Sequence, residues 1–330
     1  MTLSNLLTDI NGVAVGHATD LKLGSGVTVI VFDKPATASG TVLGGAPGGR
    51  ETALLDPSMT VQQVDAFVLS GGSAFGLDAA GGVQSGLRAI GRGFPVGPVK
   101  VPIVPQAILM DLLNGGDKDW DLHSPYRDMG YEAFQAASKE PFSLGTVGAG
   151  TGATTATLKG GIGSASAETK NGTRIAAIVA ANAMGSAIVG DGPHFWAAPF
   201  ERDGEFGGRG FPAGVKASDS ALRAKGINIT ATTIGAVVTD AVLTKAQAHR
   251  LSIMAHDGLA RAVLPTHLSA DGDTMFAAAT GARELADPAE FMELCHLATL
   301  VTARAIARGV FEARALPYEG AQKSWRDLFG

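Results

Sequence analysis

The chain has 330 residues, enough for one large domain or two of ordinary size. Only 17% of them are charged, and 26 Lys+Arg against 31 Asp+Glu leave a formal charge of -5, which excludes a basic nucleic-acid platform and a disordered polyelectrolyte. Glycine is in excess at 45 residues, roughly twice the ordinary ~7%, yet no Gly-X-Y period accompanies it, so collagen and linker chains are excluded and the glycines belong inside a folded, mostly apolar chain.

Short runs rich in Val, Ile and Thr, separated by glycine turns, predict strands over Gly12–His17, Gly26–Asp33, Thr37–Leu43 and Ala66–Ser70. Between them Val61–Val64 and the glycine-dense Ser73–Ile90 read as helices, with Ser73 as a helix cap. Ser124–Ser138 is a further helix, Gly145–Leu158 a Gly/Thr segment and Arg174–Ala181 an apolar strand. Glu201–Asn228 is Gly-rich, charged and poor in branched apolar residues, and is expected as an exposed connection. After it, Thr232–Asp240 is a β-branched strand, and Thr244 opens a helix with Ala248, Leu251, Ala255, Leu259 and Ala262 on one face. Asp287, Pro288 and Glu290 supply an N-cap, a first-turn proline and a capping-box acid for a last helix striped by Phe291, Leu294, Ala298, Val301 and Ala305. Mixed strands followed by two long helices predict a layered α/β or α+β domain.

No uninterrupted apolar stretch reaches the ~18 residues of a membrane span; the richest, Ile175 to Val189, is broken by Asn182 and Ser186. The opening residues lack a secretory pattern, and the single Cys295 excludes an internal disulfide and multi-cysteine metal sites. A soluble, cytoplasmic protein without membrane or nucleic-acid partners is the expectation.

Gly148–Ala153 fits G-x-G-x-x-A, but TTATLKGGIG follows where a dinucleotide site needs a helix, and no P-loop occurs. His249 and His256 lie seven apart on one helical face without a third ligand, so packing histidines are expected. Asp271-Gly272-Asp273 places two carboxylates in one turn, at the start of a further strand or helix. Ala231-Thr232-Thr233 opens a strand directly after the exposed connection. A threonine hydroxyl becomes a useful nucleophile when its own free α-amino group, of pKa about 7.7–8, serves as base. Breaking the Ala231–Thr232 bond creates that terminus; an ordinary strand opening is the competing reading of the same residues.

The blocks TDINGVAVGHATD, GGAPGGRET, LSGGSAFGLDAAGGV, VPIVPQAIL, GAGTGATTATLKGG, VAANAMGSA, TTIGAVVTDA and DGDTMFA, in this order over nearly the whole chain, resemble the L-aminopeptidase/D-amidase-esterase family. That family includes β-aminopeptidases and nylon-oligomer hydrolases and shares its fold with ornithine acetyltransferase. The resemblance implies a four-layer αββα sandwich of the N-terminal-nucleophile type, one domain over 1–330, self-cleaved into 1–231 and 232–330. It implies Thr232 as nucleophile, Asp271 and Asp273 as the pair that holds and tunes its new amine, Lys159 close to the nucleophile, and Asn182 as oxyanion donor. It implies hydrolysis of short peptides or amides, D-, β- or ω-amino acid units included, without metal or organic cofactor, in a homotetramer or other homo-oligomer. Two positions depart from the pattern: Ala231 stands where members carry Asn or Gly, although ornithine acetyltransferase-like proteins cleave an Ala–Thr bond, and Met110 stands where several relatives have Tyr. An acyltransferase of the ornithine acetyltransferase type is the rival reading, and the two departures keep open a third, an unprocessed, non-catalytic relative.

Overall fold

The structure is a computed structural model that describes residues 3–225 and 231–330. In chain order it contains β1 (Val13–Asp20), β2 (Ser25–Val42), β3 (Gly49–Arg50), β4 (Gln63–Ser70), α1 (Ala79–Ala89), β5 (Phe94–Val96), β6 (Val99–Val101), β7 (Gln106–Ile108) and α2 (Tyr126–Gln135). After these come β8 (Ile162–Glu168), β9 (Arg174–Ala180), β10 (Ile234–Ala241), α3 (Lys245–Ala262), β11 (Thr274–Arg283), α4 (Pro288–Glu312) and α5 (Trp325–Phe329).

The strands expected over Gly26–Asp33 and Thr37–Leu43 are one continuous strand, β2. Its register against β4 shifts between Val31 and Ala36, around Pro35, which has no N–H to give to a ladder. The first half of β2 pairs with β1 and β4, whereas the second half pairs with β11 and, at Ala36 and Thr37, with the start of β4. One long strand thereby joins two sheet layers in the order β3-β7-β4-β2-β11-β10-β9-β8, with β1 also on β2.

Period-two alternation assigns each face. On β9, Ile175, Ala177 and Val179 face α3 and α4, while Ala176, Ile178 and Ala180 face the other sheet layer, where Ile30, Phe32, Phe67 and Leu69 meet them. On the far side, Val27, Val29, Ala66 and Val68 pack against α1 and α2. The layers are therefore αββα. Both cores that touch β9 also take residues from β10, so chain on each side of Ala231 shares the same interior.

Helix α3 forms as the sequence indicates: the Thr244 hydroxyl accepts from Gln247 N–H, and Ala248, Leu251, Ala255, Leu259 and Ala262 are all buried. Helix α4 is the one described helix long and apolar enough to cross a membrane, but 72% of its most apolar window is packed inside the fold. The Asp287 side chain caps it by accepting from Glu290 N–H at 2.9 Å. Glu290 does not close the capping box. Its carboxylate accepts instead from the Thr169 and Thr173 hydroxyls at 2.8 and 2.6 Å and from Ala286 N–H at 2.7 Å, tying α4 to the turn between β8 and β9.

Those donors, the Thr173 hydroxyl first, hold the Glu290 carboxyl down at about 2, below its ordinary 4.5. A carboxylate depressed in the fold stabilises above its unfolded pKa, and that stability is lost as pH falls through the folded value. Glu290→Gln is accordingly expected to lower stability at pH 7 and to flatten the decline between pH 4.5 and about 2, read from urea midpoints of parent and variant across that range.

Three further expectations need correction. Val61–Val64 is not helical, because four residues cannot offset the cost of starting a helix and Gln63 onward gains ladder bonds to β2. Ser73 is not a cap; Gly72 holds the cap position and Ser73 begins a 3-10 turn over Ser73–Asp78, before α1. The connection after Glu201 is not uniformly exposed: Phe206 is buried, and Glu205 makes an ion pair with Arg304 of α4 at 2.5 Å. Positions 226–228 of that expected connection lie outside the described residues. Strand β8 was not evident in the sequence, since its IGSASAE carries little apolar bulk. The reason is its neighbour: a Cβ on Gly163 would fall on the Ala305 carbonyl of α4.

Candidate active site

Parallel pairing of β10 with β11 brings the two unexplained sequence features together. With Ile234 opposite Thr274, the residues entering each strand also lie side by side, and Ala231 bridges to Asp271. Ala231 N–H donates to Ala270 O at 3.2 Å, Gly272 N–H donates to Ala231 O at 2.9 Å, and Thr274 N–H donates to Thr233 O at 3.1 Å. On the other side β9 runs antiparallel, with Ala180 opposite Ile234, so the chain leaving β9 passes Thr232. Thr232 N–H donates to the Asn182 carbonyl at 2.8 Å. Three strand ends thus converge on one peptide bond.

Thr232 is buried, at 3% exposure, and its Oγ1 donates to the Ala231 carbonyl oxygen at 2.7 Å. The space beside it admits no side chain. A Cβ at Gly272 would lie 2.7 Å from Thr232 Oγ1 and 2.6 Å from Ala46 O, so glycine between the two aspartates is a packing requirement.

Asp271 and Asp273 are both 1% exposed. Asp271 accepts from Met184 N–H at 3.2 Å and Leu268 N–H at 3.0 Å; Asp273 accepts from Thr233 N–H at 2.9 Å and from His267 N–H at 3.0 Å. The second Asp273 oxygen also meets His267 Nδ1 at 2.9 Å. Burial, then the neighbouring Asp273 charge, raises Asp271 to about 6. With the Ala231–Thr232 bond intact the carboxylates hold the loops flanking Thr232, and the hydrogen bond of Thr232 N–H goes to Asn182.

Asn182 is fully buried. Its Oδ1 accepts from Thr154 N–H at 3.0 Å and from Lys225 Nζ at 2.9 Å, and its Nδ2 donates to Met110 O at 3.0 Å. Met110 therefore contributes a main-chain acceptor to this amide. An amide nitrogen carries two hydrogens, and among the described residues Asn182 Nδ2 donates one of them.

Lys159 is buried, and its Nζ donates to the Gly150, Ala153 and Gly160 carbonyls at 3.0, 2.7 and 2.7 Å. All three ammonium hydrogens are consumed there, and none is left for Thr232. Burial lowers the group to about 7, opposed by Asp111. The GAGTGA run is the wrapping of this lysine; no helix follows it.

The sequence reading did not single out Lys225, His267 or the Gly272 N–H. His267 lies four residues before Asp271 at a positive φ of 57°, and its ring meets His256 edge-on at 4.9 Å. His249 and His256 contact Ser39 and the Thr41 carbonyl of β2, as packing residues do. Beside Thr154, a cleft of about 340 Å³ lined by Leu113, Asn114, Tyr318 and Gln322 opens to solvent.

A sequence profile described as Peptidase family S58 matches residues 5–323. A Mycobacterium tuberculosis protein named an uncharacterized aminopeptidase is 40% identical over 348 aligned positions, covering 98% of each chain. A Mycobacterium leprae protein of the same description is 40% identical over 298 positions, covering 85% of this chain and 80% of its own. Among solved structures, a Burkholderia sp. beta-aminopeptidase superposes with a TM-score of 0.73 at 21% identity, over 99% of this chain and 94% of its own. The L-aminopeptidase D-ala-esterase/amidase of Ochrobactrum anthropi, described as a variant of the Ntn hydrolase fold, gives 0.71 at 18% identity over 97% and 90%. At these identities the structural likeness is one of fold.

Proposed function

The chain belongs to peptidase family S58 and is a hydrolase of peptide or amide bonds; from that premise we propose that it matures by cutting its own Ala231–Thr232 bond and then uses Thr232 as an N-terminal nucleophile. The observation that carries the reading is the Thr232 hydroxyl 2.7 Å from the Ala231 carbonyl oxygen, on a carbonyl already polarised by Gly272 N–H at 2.9 Å.

In the first step Oγ1 bonds to the Ala231 carbonyl carbon and the carbon–nitrogen bond breaks, while the hydroxyl proton passes to the departing Thr232 nitrogen. Water then cleaves the resulting ester, leaving an Ala231 carboxylate and a free Thr232 amine. The fragments 1–231 and 232–330 remain one domain, a reading supported by the cores they share. In turnover, the Thr232 amine takes the hydroxyl proton as Oγ1 attacks the substrate carbonyl, the second Asn182 Nδ2 hydrogen meets the oxyanion, and the carbon–nitrogen bond then breaks as the Thr232 ammonium returns that proton to the departing amine. Water releases the acyl group from Oγ1. Asp271 and Asp273 keep the strand entries around Thr232 in place, with Asp271 supplying negative charge for the ammonium form of the amine. Lys159 supports this site indirectly, by fixing the turn that carries Thr154.

The substrates are short peptides and amides with a free amino end, in line with relatives whose names describe β-peptide and D-alanyl amide activities. The homotetramer or other homo-oligomer implied by the family resemblance, and the cytoplasmic setting expected from the sequence, belong to the same proposal. A panel of aminoacyl anilides, β-dipeptides and aminohexanoate oligomers, assayed with and without ornithine as competing acceptor, tests it. Release of free amino acid at a rate unaffected by ornithine is expected; acyl transfer to ornithine in preference to water would replace hydrolase with acyltransferase.

A further inference from the structure

Lys225 belongs to the connection that leads to the proposed cut, yet its amino group is directed inward. Among the described residues its hydrogen-bond partner is Asn182 Oδ1, at 2.9 Å. Holding a lysine in this way costs side-chain entropy, and burial drives its pKa down to about 7 against the pull of Asp271 and Asp111. A lysine from a polar segment, free to reach water, instead caps the side chain of the residue whose main-chain carbonyl holds Thr232 N–H and whose Oδ1 also takes Thr154 N–H.

The lysine indicated by the sequence cannot take this part, because the three hydrogens of Lys159 are held by the Gly150, Ala153 and Gly160 carbonyls. Lys225 and Thr154 N–H together fix Asn182 with oxygen on one side and nitrogen on the other. A cation on an amide oxygen draws electron density from the amide nitrogen and strengthens its N–H as a donor.

We infer that Lys225 is a positioning residue for self-cleavage, fixing and polarising the Asn182 amide from the segment that precedes the bond to be cut. The inference rests on the maturation reading above. It also makes the precursor's own connection part of the machinery that processes it.

The test follows cleavage of full-length parent, Lys225→Met and Lys225→Arg by intact mass over time, with Tm, kcat and KM measured on each. Expected are a half-time lengthened about tenfold or more in the Met variant, recovery of most of the rate by Arg, and an unchanged Tm. Cleavage of the Met variant at the parental rate overturns the inference alone. So does equal slowing of both variants with a lowered Tm, which marks a structural tether, and so does normal cleavage with faster turnover, which marks an obstructing side chain. A parent that stays whole overturns the maturation reading and this inference with it.

Discussion

Thr232→Ala is expected to persist as a single 330-residue chain and to lose turnover by about 10⁴-fold or more, the scale on which removing a nucleophile acts. The same hydroxyl serves both steps, so one deletion removes both. Folding should survive it. Among the described residues the side chain makes one hydrogen bond, to the carbonyl before it, while the main chain of Thr232 is held by Asn182 O, independently of the hydroxyl. Intact mass, Tm and anilide hydrolysis on parent and variant check the three parts separately. Thr232→Ser, which keeps a hydroxyl, should retain cleavage.

Asn182→Ala is expected to lower kcat by about 10²–10³ with little change in KM, as loss of one preorganised oxyanion donor costs ~2.7–4 kcal/mol of barrier. Three groups lose their partner as well: Thr154 N–H, Lys225 Nζ and the Met110 carbonyl. A buried group left unpaired costs roughly 1–3 kcal/mol, so Tm should fall too. The kinetic ratio separates the two effects: folded enzyme with lowered kcat and preserved KM marks a transition-state role, whereas a loss explained by the unfolded fraction marks packing alone.

The sequence exposed the ends of this site better than its middle. TTIGAVVTD reads as a strand from its β-branched residues, and DGDT reads as a turn before another element. Neither says that the two strands are parallel neighbours, and that register is what puts Ala231 beside Asp271. Period two separates the faces of β9 but does not say which face meets helices, because both are apolar. Strand β8 escaped notice because closeness to α4 selects small residues over apolar bulk.

The two lysines are the sharpest case. Lys159 lies inside a motif and Lys225 lies in a segment that reads as a polar linker. Hydrogen-bond counting reverses their claims on Asn182: one has spent every donor on main-chain carbonyls, and the other reaches the amide oxygen. Pattern alone cannot make that distinction, since it depends on which turn closes over which side chain.

The central claim is that the Ala231–Thr232 bond is cut by the residue that follows it. Intact mass and N-terminal sequencing of freshly purified parent test it most directly. The account predicts fragments of 231 and 99 residues, the second beginning at Thr232; a chain that remains at 330 residues while hydrolysing aminoacyl anilides would contradict it.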